Sequence, residues 1–69
     1  MNNKNLKVTD RAFLLDQFMN HFNEFGVISI PDLDRMPTTF MDLLNEENVT
    51  YQFEFIKMAE INFYMITKL

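Results

Sequence analysis

Apolar residues in the first third of the chain recur at helical spacing. Ala12, Leu15, Phe18, Met19, Phe22 and Phe25 fall on one face of a 3.6-residue repeat, with Leu14 at its edge. Thr9 can serve as an N-cap, and Asp10 suits the positive end of a helix dipole. Gly26, the only glycine, stands where a C-capping glycine belongs. These signals predict a helix over about 10–25. Residues 1–7, polar and carrying Lys4 and Lys7, read as a loose tail ahead of a single domain over 8–69.

The middle of the chain is punctuated by prolines. Val27-Ile28-Ser29-Ile30 is too short for a helix and reads as a brief extended segment. Pro31 fits the first position of a second, short helix, with Asp32 and Asp34 in its first turn and Leu33 and Met36 facing inward. Pro37 is expected to end it, because a residue before proline is biased away from helix. Thr38 or Thr39 then caps a third helix, in which Phe40, Met41, Leu43 and Leu44 pack and Glu46, Glu47 and Asn48 close.

After residue 48 the period changes. Val49, Tyr51, Phe53 and Phe55 alternate with Thr50, Gln52 and Glu54, and Ile61, Phe63 and Met65 alternate with Asn62 and Tyr64. That alternation predicts two strands joined around Lys57 to Glu60. The linking Lys-Met-Ala-Glu is a poor turn and contains helix formers, so a single helix over about 51–68 is the rival. The fold class is therefore α+β, three short helices followed by a C-terminal β-hairpin, with an all-α bundle of three or four helices as the alternative. The alternation favours the hairpin.

Helix, short strand, short helix, turn, helix and hairpin is the element order of winged helix-turn-helix domains. Phe25 to Leu33 resembles that family's glycine, extended residue and start of the second helix; Pro37 to Leu44 resembles the start of its third, recognition helix; residues 49–68 correspond to the wing. The resemblance implies DNA binding with the third helix in the major groove. The chain departs from the family in a shortened segment between the second and third helices, where only Met36 and Pro37 stand.

Charge departs further. The formal net charge is −4, from ten acids and six bases. Between residues 12 and 56 there are eight acids and one base, Arg35, so that stretch carries −7. The third helix has no Lys or Arg, and its charges are Asp42, Glu46 and Glu47. Nonspecific DNA affinity comes mainly from cations that neutralise phosphates, so a nucleic-acid partner is disfavoured.

Reactive chemistry is equally sparse. One histidine, His21, and no cysteine exclude the usual zinc sets, and Asp32-Leu33-Asp34 lacks the rest of a calcium loop. No nucleophile, base and orienting group can be drawn together, so neither an enzyme nor a cofactor is expected. No apolar run is long enough to span a bilayer. With no secretion signal and no cysteine, the expected location is cytoplasmic.

What remains is binding. A domain this small buries only about 60% of its chain's surface. It carries 31 large apolar side chains, more than such a core can hide. Phe13 falls on the polar side of the first helix and is a candidate contact residue, since interface centres favour aromatics. Asp32, Asp34, Asp42, Glu46 and Glu47 are expected to gather around the second and third helices and to meet a basic protein surface. The expected function is a non-enzymatic protein-binding module, a small acidic inhibitor or adaptor imitating DNA electrostatically, of the sort viruses and mobile elements encode. The alternative is a winged-helix transcriptional regulator acting as a homodimer, and a plain structural dimer, a homo-oligomer without a further partner, is the third reading.

Overall fold

A computed structural model describes residues 3–69, with side chains from Arg11 onward. It is an α+β domain of two helices and a three-stranded antiparallel sheet. In chain order these are α1 (Asn3–Phe25), β1 (Val27–Pro31), α2 (Met36–Glu46), β2 (Tyr51–Lys57) and β3 (Asn62–Lys68). The sheet order is β1-β3-β2, which places the last strand in the centre. Residues 49–68 are a hairpin, which sets aside the single-helix rival and the all-α alternative.

The core lies between the helices and one face of the sheet. Phe22, Ile28, Ile30, Met36, Phe40, Leu44 and Ile66 are buried. Phe40 of α2 meets two rings of α1 edge to face, Phe22 at 5.6 Å and Phe18 at 6.3 Å between centroids. Such pairs add about 1 kcal/mol each to the area they bury. Ile28 lies opposite Ile66, and Ile30 opposite Tyr64, so both strands present these residues to the same side. In β3 it is therefore Tyr64 and Ile66 that share the core-facing side, while Phe63 and Met65 lie on the outer face.

Two left-handed residues end the helices. Gly26 has φ 77°, and its N–H donates to Phe22 O at 2.7 Å. The Gly26 carbonyl accepts from Lys68 N–H at 2.8 Å, tying the end of α1 to β3. Asn48 has φ 59° after α2, where Val49 N–H reaches Leu44 O and Asn48 N–H reaches Asn45 O. Those two bonds form a Schellman closure, for which Asn is the commonest substitute for glycine.

Several expectations need correction. Helix α1 begins at Asn3, so residues 3–7 are helical instead of a tail and Thr9 lies within the helix. Met1 and Asn2 lie outside the described residues. No Gly or Pro interrupts residues 3–25, and a residue able to cap does not oblige a helix to start there. The expected second helix is absent. Pro31 closes β1, and the chain turns through Asp34 (φ 53°) and Arg35 (φ 57°), two consecutive left-handed residues that no helix accommodates. Pro37 opens α2 instead of ending a preceding helix, because its missing N–H costs nothing in a first turn.

Three apolar residues expected inside are outside, the small Ala12 near the start of the apolar face and two large ones. Phe25 is 61% exposed because Gly26 turns the chain at once into β1, leaving its ring beyond the sheet and against His21 at 4.6 Å. Leu33 is 57% exposed on the turn that replaces the second helix.

The radius of gyration, 12.9 Å, exceeds the roughly 11 Å expected for a compact globule of this length. Along its shortest axis the molecule measures only 18 Å. A two-layer slab of this kind has a small core, so each member matters. Phe40→Ala should cost about 3–5 kcal/mol in chemical denaturation, enough to leave little folded protein. Gly26→Ala meets no atom within 4 Å of the new Cβ, so its expected loss of about 1–2 kcal/mol is backbone strain alone. Gly26→Asn, which tolerates the same φ, should lose less.

Candidate functional site: an acidic helix ridge and exposed apolar patches

The outer ridge of α2 runs through Thr38, Asp42, Asn45 and Glu46, all exposed at i, i+4, i+7 and i+8. Leu44 and Phe40 occupy the opposite face and are fully buried, so core packing fixes which side of α2 meets solvent. Glu47, the C-cap, is exposed just past the end of the helix, about 100° around its axis from Glu46. No Lys, Arg or His interrupts α2, and its carboxylates lie toward its C-terminal end, where the helix dipole is also negative. Negative potential is therefore concentrated at one end of the domain.

The five acids expected to cluster are divided by the fold. Asp42 and Glu46 share the ridge, and Glu47 lies just past the end of the helix. Asp32 and Asp34 sit in the turn before α2, and α2 itself spans about 15 Å from Met36 to Glu46. The charge of Asp34 is also spoken for. Arg11 Nη1 donates to Asp34 Oδ2 at 2.7 Å and to Asp34 O at 3.0 Å, while Nη2 donates to Thr39 Oγ1 at 3.2 Å. The Thr39 hydroxyl in turn donates to Arg35 O at 2.8 Å. This chain fastens α1 to the left-handed turn and to the first turn of α2, which has no side-chain N-cap of its own. Arg11 is a structural clasp.

Beside the clasp lies an apolar groove of about 320 Å³. Arg11, Leu14 and Phe18 form one wall as a single ridge of α1, with Ile30, Leu33 and Met36 across from them. Phe13 lies outside this groove on the far side of α1, 56% exposed on the ridge it shares with Gln17, Asn20 and Glu24. The fold does not join it to the α2 acids.

A second apolar patch escaped the sequence reading. Phe53 and Phe55 of β2 point to the same side of the sheet as buried Ile66, yet are 54% and 45% exposed. Burial follows the placement of the helices: they lie against β1, at one edge of the sheet, and β2 at the other edge extends past them. Tyr64 contacts both rings, at 5.8 Å from Phe53 and 5.1 Å from Phe55. Alternation marked these residues as one face of a strand; the position of β2 at the edge away from the helices leaves them uncovered.

Among the described residues no group of three His, Asp or Glu side chains could hold a metal, no polar side chain is buried, and no helix is long and apolar enough to cross a membrane.

The clasp is partly solvated, so its energy should be modest. Arg11→Ala is expected to lower stability by about 1 kcal/mol, with a loss that shrinks at high salt. In a double-mutant cycle by urea denaturation, Arg11→Ala and Asp34→Ala should be less than additive. Comparison with protein-family models, curated proteins and solved structures found no match.

Proposed function

We infer that this chain is a non-enzymatic protein-binding module that offers the acidic ridge of α2 to a partner with a basic surface. One observation carries the reading: core packing turns Asp42 and Glu46 to solvent on a helix that bears no cation, and exposed Glu47 follows at its C-terminal end. Carboxylates held on a rigid helix steer a basic partner by the same long-range field that a phosphate backbone would supply.

Element order and the β1-β3-β2 sheet support a winged-helix-like frame in which the turn at 32–35 stands in place of the second helix. In that frame α2 takes the position of the reading helix. Its exposed groups, two carboxylates with Thr38 and Asn45 between and before them, would face phosphates with the wrong sign. A protein that imitates nucleic acid presents just this polarity, so the ridge suits an inhibitor or adaptor of a nucleic-acid-binding protein.

The test combines affinity capture with charge reversal. The tagged chain should retain a basic protein, and the triple variant Asp42→Lys, Glu46→Lys, Glu47→Lys should lose it while keeping the far-ultraviolet circular dichroism of the parent. Capture that survives the triple reversal would remove the ridge from the account. In a mobility-shift assay at low salt the parent chain should leave duplex DNA unshifted; a shift that fades steeply as salt rises would favour the regulator instead.

A further inference from the structure

We propose that the open edge of β2 pairs with the same edge of a second copy of this chain, joining two three-stranded sheets into one of six strands across a two-fold axis. The inference concerns purified protein and holds whether or not the acidic ridge finds a basic partner.

The two sheet edges differ. Along β1, Gly26 O accepts from Lys68 N–H and Asp32 N–H donates to Asn62 O, so the even-numbered residues bond to β3 and Val27, Ser29 and Pro31 face outward. Pro31 has no N–H to offer, and proline at such a position is a common guard against strand addition. Along β2, Thr50 O accepts from Leu69 N–H and Met58 N–H donates to Ile61 O. The same alternation turns the backbone groups of Tyr51, Phe53, Phe55 and Lys57 toward the open edge. No proline or left-handed residue interrupts them. Phe53 and Phe55 add exposed rings on the same side, so Tyr51 to Phe55 form an open aromatic edge with Lys57 at its end.

Symmetry limits how two such edges meet. A two-fold axis perpendicular to the sheet keeps side chains on their own face, so a residue on the axis must pair with itself. Glu54 on the axis would set two carboxylates directly opposite each other, which is repulsive. Phe55 on the axis would set Lys57 against a phenylalanine and Glu54 against Ile56. Phe53 on the axis pairs ring with ring, Tyr51 with Phe55 and Gln52 with Glu54, leaving no like charges opposed.

The Phe53 register also brings opposite charges together, which points to a second copy as the occupant. With Phe53 on the axis, Lys57 lies opposite Val49 of the other copy, two residues from Glu47 and beside the negative end of α2. Lys57 has no carboxylate partner among the described residues. An open concavity of about 560 Å³ between Asn45, Val49, Tyr51 and Phe53 lies where Phe55 of the second copy would arrive.

Light scattering across a dilution series should return about twice the chain mass of 8.3 kDa, falling toward the single mass only on dilution. A constant single mass would overturn the proposal. Register is read by unique thiols, because the chain has no cysteine. Phe53→Cys places two thiols on residues whose Cα atoms lie about 5.5 Å apart, within disulfide reach. Mild oxidation should link that variant, whereas preferential linking of Glu54→Cys or Phe55→Cys would overturn the register. Lys57→Glu and Glu47→Lys should each weaken dimerisation by about tenfold, and their combination should restore it. Absence of rescue would remove the charge pairing that singles out a second copy.

Discussion

The ring of Phe40, held edge-on between Phe18 and Phe22, is the contact on which the architecture turns. It is the link between a helix that begins the chain and a helix from its middle, and it is fully buried. In a domain with seven buried apolar side chains and neither disulfide nor metal among its described residues, no other cluster can replace it. Fixing Phe40 inward fixes the rotation of α2. That rotation in turn decides which side of the helix shows Asp42 and Glu46 to water. Core packing and surface electrostatics are thus two consequences of one helical register.

Small size sets the second constraint. Two helices can shield only part of a three-stranded sheet, and the strand order makes β2 the part left over. Phe53 and Phe55 occupy the core side of the sheet yet remain half in solvent, attached to the core through Tyr64. The exposed apolar surface is therefore a consequence of topology as well as composition. It lies chiefly on the groove beside Arg11 and on the open edge of β2, apart from the acidic ridge.

The sequence revealed elements where local chemistry and tertiary packing agree. Gly26 marked the end of α1 because only its left-handed conformation lets the chain turn directly into β1. The aromatic alternation after residue 48 prevailed over the helix-forming Met-Ala-Glu, because β3 is hydrogen-bonded on both sides and the turn needs only Met58 N–H on Ile61 O, with no positive φ. Pro37 was misread because proline both ends one helix and begins another, and what decides is the backbone before it. Two left-handed residues at Asp34 and Arg35 could not be foreseen, since neither is glycine or asparagine. They persist because Arg11, a residue 23 positions away from Asp34, holds that turn from α1. The acids were legible as a charge imbalance; their division into a solvated ridge and a clasped turn required the fold.

The central claim is that the outer ridge of α2 is a contact face for positive charge on a protein. Amide chemical-shift mapping of the labelled chain tests this directly, with a short arginine-rich peptide as one titrant and duplex DNA as the other. The account predicts saturable shifts for the peptide centred on Asp42, Asn45, Glu46 and Glu47, and none along α2 for the duplex. Shifts along α2 with duplex and none with the peptide would contradict it.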